Sequence, residues 1–175
     1  MRLLKLLVVS CLLLVLMGAG AQAEPQVFFN PPLPGDHLLA DYMVSKIDSA
    51  SHELLVQQYQ FPRPEVLAAI LRAHNRGVQI TVIFDATAFR DPGTAQIKGA
   101  GIEVWEDPRH IAHNKVIIGD NYWVLGGSFN PTVHAIKSND ENMTIEDRPE
   151  IVQRYIANFQ ARLAASKGKV QRGPE

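Results

Sequence analysis

His113, Lys115, Ser128 and Asn130 are the residues of this chain whose types and spacing could do chemistry together. Histidine offers a nucleophile or proton carrier, lysine a fixed positive charge, and serine and asparagine neutral hydrogen-bond donors. On an extended strand residues two apart share a face, so His113 and Lys115 project together while Asn114 and Val116 point away. Ser128 and Asn130 repeat that spacing after Gly126-Gly127, where missing side chains permit close approach. An ammonium, a hydroxyl and an amide beside an imidazole suit an anionic phosphodiester, because each can stabilise charge developing on phosphoryl oxygens.

An imidazole that attacks phosphorus forms a covalent phosphohistidine, splitting one displacement into two. It must be neutral and oriented, and a carboxylate bonded to its second nitrogen does both. Glu141, which opens a strand after the Ser128/Asn130 loop, is the first candidate, with Asp140 its neighbouring competitor. Asp120, in Gly119-Asp120-Asn121, is equally explained by turn chemistry. Asn130 before Pro131 also reads as a helix N-cap, a role compatible with phosphate binding at a helix N-terminus. His110 and Asp107 hint at a metal site, but Pro108 and the following strand spoil helical ligand spacing, so no metal is expected. His134 lies near the site loop. Trp105 and Trp123 read as core, Phe129 is the aromatic best placed to reach substrate, and Arg63, Arg72, Arg76, Arg90 and Lys98 could line a phosphate groove.

Those residues need a scaffold, and the hydrophobic pattern predicts one. Val27-Phe28-Phe29 reads as an edge strand closed by a Pro-rich turn. From Asp36 as N-cap, Leu38, Leu39, Tyr42, Met43, Val44 and Ile47 recur at helical spacing. Glu53 to Phe61 predicts a strand, Glu65 to Asn75 a helix ended by Gly77, and Val78 to Phe84 a central strand. A weaker helix from Thr94 to Ala100 leads into a strand at Ile102 to Trp105. Lys115 to Ile118 and Asn121 to Leu125 form an antiparallel hairpin, Glu141 to Ile145 a further strand, and the stripe Ile151, Tyr155, Ile156, Phe159 and Leu163 a closing helix. The fold class is α/β, a mixed β-sheet flanked by helices on both faces, in a single domain.

Composition bounds the rest. Of 175 residues 46% are hydrophobic and 20% charged, which is globular. Arg2 and Lys5 before the apolar Leu6 to Met17, then Ala21-Gln22-Ala23, predict a signal peptide over 1–23, a domain over 24–165 and a flexible polar tail over 166–175. The expected location is the periplasm or beyond, with no stable membrane association after cleavage. A retained anchor, or a lipid on Cys11, is disfavoured by the short apolar run and by what cutting before Cys11 would leave. Cys11 is the only cysteine, so the mature protein can have no disulfide and no thiolate site. Removing Arg2 and Lys5 leaves 15 basic against 18 acidic residues, and no global basic field advertises nucleic acid.

The pattern His113-x-Lys115-x4-Asp120-x6-Gly127-Ser128-x-Asn130 resembles the signature of the phospholipase D superfamily, and the course from Val27 to Leu163 resembles its single-motif bacterial nucleases. The resemblance implies that two copies of the motif meet at one active site, one histidine as nucleophile and the other as general acid, with no required metal or other cofactor. With one copy per chain, it implies a homodimer. Lys115 and Asn130 would bind the phosphate, Ser128 would support them, Glu141 would orient His113, and Asp120 and Gly127 would be structural. The function expected is a phosphodiesterase acting as a non-specific endonuclease on DNA, with RNA left open. The alternatives are a lipid phosphodiesterase and a catalytically silent nucleic-acid-binding module.

Overall fold

A computed structural model of the chain describes residues 26–60, 62–109 and 111–172, the last four by their backbone alone. The expected signal peptide, Phe61, His110 and residues 173–175 lie outside the described residues. The elements run β1 (Gln26–Asn30), α1 (Leu39–Ser49), β2 (Glu53–Gln58), α2 (Pro64–Asn75), β3 (Gln79–Phe84), α3 (Ala86–Phe89), α4 (Pro92–Gly99), β4 (Glu103–Glu106), β5 (Lys115–Gly119), β6 (Trp123–Gly127), α5 (Val133–Ser138), β7 (Glu141–Glu146) and α6 (Pro149–Arg172). They form one mixed sheet in the order β1-β7-β6-β5-β2-β3-β4. β2, β3 and β4 are parallel and joined by helices. β5 enters antiparallel to β2, and β6, β7 and β1 continue antiparallel.

Strand alternation divides the core in two. Leu54, Val56, Val82, Phe84, Ile117 and Leu125 face one side, where α1 to α5 pack Met43, Ile47, Ile70, Ala88, Ile97 and Ala135 upon them. Leu55, Ile83, Val116, Ile118 and Val124 face the other, covered by Val152 and Phe159 of α6. Both α6 side chains are fully buried, and burying a residue of this size is worth about 1.5–3 kcal/mol.

The boundaries differ from the sequence reading at several points, each for a local reason. Asp36 does not cap α1: its amide closes a turn on the Leu33 carbonyl (3.0 Å), Leu38 holds the cap position without a side-chain bond, and Leu38 is exposed. β2 ends at Gln58, three residues before the expected Phe61. Two short helices have too few residues to show a period. α3 is capped by Asp85, whose carboxylate accepts from the Thr87 amide at 2.9 Å, and α5 by Thr132, whose hydroxyl accepts from Ala135 at 3.2 Å. Asn130 is therefore not the helix cap that Pro131 suggested. α6 runs past the expected domain end at residue 165 and continues to Arg172. Ser166 is buried, with its hydroxyl donating to the Arg162 carbonyl (3.0 Å), and Lys167 pairs with Glu103 at 3.1 Å.

Candidate active site

β2 and β3 end, β5 begins, β6 ends and β7 begins at one end of the sheet, and the chemically equipped residues collect there. Lys115 opens β5 opposite Gln58 of β2. It is buried, at 7% exposure. Its ammonium lies 2.9 Å from Nδ1 and 3.0 Å from Nε2 of His113 and donates to the His113 carbonyl at 2.8 Å. Burial lowers the Lys115 pKa, while the charge of Glu141 opposes that shift. His113 itself precedes the strand and is exposed, so its ring is accessible from solvent.

Glu141 opens β7 and is buried, whereas its competitor Asp140 is exposed. Its carboxylate accepts a short hydrogen bond from the Ser128 hydroxyl and another from the Asn139 amide (2.9 Å). Ser128 in turn accepts from the Asn142 amide at 3.0 Å. The expected Glu141–His113 bond is not the one formed: both imidazole nitrogens face the Lys115 ammonium, and Glu141 is engaged by Ser128 and Asn139. Gly127 permits the close passage of this loop, because a Cβ there would meet the Asn142 carbonyl oxygen at 2.4 Å. Asn130 makes no bond to His113 or Lys115 among the described residues. Its Oδ1 is buried without a hydrogen-bond partner, an uncommon state that a ligand could relieve.

Asp120 stands away from this cluster and ties the β5–β6 turn to the entrance of β2. Its carboxylate accepts from the amides of Ser51 (3.0 Å), His52 (2.7 Å) and Glu53 (3.0 Å) and from the Ser51 hydroxyl (3.2 Å). Partial burial pushes its pKa up, but these bonds outweigh that, and on balance it is held below the usual carboxylate value. Asp120 and Asn121 take the left-handed conformation of a tight turn, φ 53° and 54°, which their side chains tolerate.

The segment leading into His113 is fixed by two buried carboxylates. Asp85 accepts from the Ala112 amide at 2.9 Å. Asp107 takes a bidentate bond from Arg162 of α6 (2.9 and 2.5 Å). His110 is not among the described residues, and those described hold no group of three acidic, histidine or cysteine side chains able to bind a metal. Other sequence candidates are engaged elsewhere. Phe129 is core at 2% exposure, Arg72 and Arg76 pair with Asp48, Arg63 pairs with Glu65, and Lys98 stands over the Phe89 ring at 3.6 Å. His134 is exposed on α5, with no contact to the cluster among the described residues.

Two polar residues of β2 and its exit escaped the sequence reading. Gln58 is 3% exposed, and neither of its amide atoms has a hydrogen-bond partner; it lines a water-sized cavity of about 10 Å³ with Lys115, Gly127 and Phe129. Tyr59 turns out of the strand so that its ring lies 4.5 Å from that of His113 and 5.0 Å from the Lys115 ammonium. Reading β2 through to Phe61 hid this, since an aromatic inside a strand is ordinarily packing.

An exposed imidazole coupled to a buried ammonium, with a serine–carboxylate pair on the adjoining strands, belongs to the phosphoryl-transfer class. Comparison with known proteins specifies the family. The family described as cardiolipin synthase, phospholipase D-like domain, matches residues 43–163. The chain is 34% identical over 147 residues to a phospholipase D of Rickettsia bellii, spanning 82% of this chain and 71% of that protein. It is 32% identical over 132 residues to the mitochondrial cardiolipin hydrolase of Xenopus laevis, covering 74% of this chain and 63% of that one. Nuc from Salmonella typhimurium, a phospholipase D family member, superposes with a TM-score of 0.72 at 29% identity over 81% of this chain and 95% of its own. This chain belongs to the phospholipase D superfamily and is a phosphodiesterase of it.

Proposed function

We propose that this enzyme is an exported nuclease of low sequence specificity, cleaving DNA through a covalent phosphohistidine in a site shared by two subunits. The observation that carries the chemistry is the buried Lys115 ammonium held against the rings of His113 and Tyr59, a fixed charge beside an exposed nucleophile. His113 attacks phosphorus and one P–O bond breaks; the leaving oxygen takes a proton from His113 of the partner subunit. Water then attacks the phosphohistidine, the partner imidazole takes a proton from that water, and the P–N bond breaks to free His113. Lys115 and the Asn130 amide meet the phosphoryl oxygens, and Ser128 and Glu141 hold the loop that brings Asn130 there. One motif per chain supports the dimer, and the likeness to Nuc over nearly all of that chain supports a nucleic-acid substrate.

The names of the sequence relatives, phospholipase D and cardiolipin hydrolase, favour a second reading, a lipid phosphodiesterase. Duplex DNA, single-stranded DNA, RNA and phospholipid vesicles assayed in parallel with EDTA separate the two. Cleavage of the nucleic acids with vesicles untouched supports the nuclease. Vesicle hydrolysis with nucleic acid intact supports the lipid enzyme, and cleavage only after a divalent ion is restored contradicts the metal-free mechanism.

A further inference from the structure

Tyr59 is the one aromatic ring that meets both His113 and Lys115 among the described contacts. It follows Gln58, the last residue of β2, whose carbonyl accepts from the Asp85 amide at 3.1 Å, so its backbone is anchored at the strand end. The ring is half-buried, inclined 54° to the imidazole with centroids 4.5 Å apart, a tilted packing that aromatic rings favour. His113 has no comparable restraint: it is exposed, lies outside the strand, and among the described residues has no carboxylate on either nitrogen. Lys115 cannot hold the imidazole through a turnover, because the same ammonium must reach the phosphate.

We infer that Tyr59 is a positioning residue of the phosphodiesterase, a wall that keeps the His113 ring in line for attack when Lys115 moves from the imidazole to the phosphate. The inference deepens the proposed mechanism and rests on it. The Tyr59 hydroxyl has no hydrogen bond among the described residues, so the ring face is the acting part and phenylalanine should serve. A ring that only filled space would affect folding or substrate affinity, whereas a ring that aims the nucleophile affects kcat.

The test measures kcat and KM on bis(p-nitrophenyl) phosphate in EDTA for wild type, Tyr59→Phe, Tyr59→Leu, Tyr59→Met and His113→Ala, with the His113 ring followed by NMR in each folded protein. Expected are a kcat loss on the order of 10- to 100-fold in Tyr59→Leu and Tyr59→Met with KM nearly unchanged, since small misplacements of reacting groups cost that much. Tyr59→Phe should keep wild-type kcat, and the His113 ring signals should shift or broaden in the Leu and Met proteins alone. Wild-type kcat in Leu and Met, a loss confined to KM, or equal damage in Phe would overturn the inference. Full activity in His113→Ala would instead sink the mechanism; the inference then falls if the ring signals ignore Tyr59→Leu and Tyr59→Met.

Discussion

At the residue scale the site is defined by where one ammonium lies. Lys115 is buried with its charge directed at His113, so its cation is largely shielded from water before substrate arrives. Lys115→Ala should lower kcat/KM about 100- to 1000-fold in a steady-state phosphodiesterase assay, and Lys115→Arg should restore little, because a planar fork does not replace a point charge in that space. The two-residue spacing of His113 and Lys115 made their proximity legible in the sequence, although His113 lies just outside β5 and not on the strand. The spacing could not show which group Lys115 would touch, because it does not fix a contact. For the same reason Glu141 was legible as the carboxylate of the site while its partner was not: Ser128, thirteen residues away, reaches it only after β6 and β7 pair.

At the element scale two small features hold the strands that carry these groups. Asp120 joins the β5–β6 turn to three amides at the entrance of β2, so Asp120→Ala should cost about 2 kcal/mol in urea unfolding while the denaturant slope stays unchanged. The pH dependence has a definite sign. A carboxylate whose folded pKa is depressed stabilises fully above its unfolded value and loses that contribution as pH falls through the folded one. Asp120 behaves this way, and so does Glu146, held at about 2 chiefly by the Arg148 guanidinium. Thermal melts should therefore weaken from the ordinary carboxylate range down toward pH 2, less steeply in Asp120→Ala. Gly127→Ala drives a methyl into the Asn142 carbonyl and should displace the Ser128 loop, costing about 1–3 kcal/mol and activity together. The long strands and helices were legible from their periods. α3, α5 and the last turns of α6 were not, because the first two are too short to show a stripe and the third is polar in sequence, with Ser166 buried.

At the scale of the whole molecule the proposed mechanism makes one motif half a site. Among the described residues five helices cover one face of the sheet and α6 the other, and the motif lies at the sheet end, where the proposed second copy would meet it. If each centre requires His113 from both subunits, randomly exchanged equal amounts of wild type and His113→Ala should retain about a quarter of the activity, because only wild-type pairs work. Retention of half would mean that each subunit acts alone. The α/β class, the single domain and the motif were legible in the sequence; the sheet order was not, since β5 inserts beside β2 through contacts no local pattern encodes. The most direct test of the account is the single-turnover cleavage rate of purified His113→Ala protein on DNA in EDTA. The account predicts a rate about a thousandfold or more below wild type, as expected when a covalent nucleophile is removed. A rate within a few fold of wild type would contradict it.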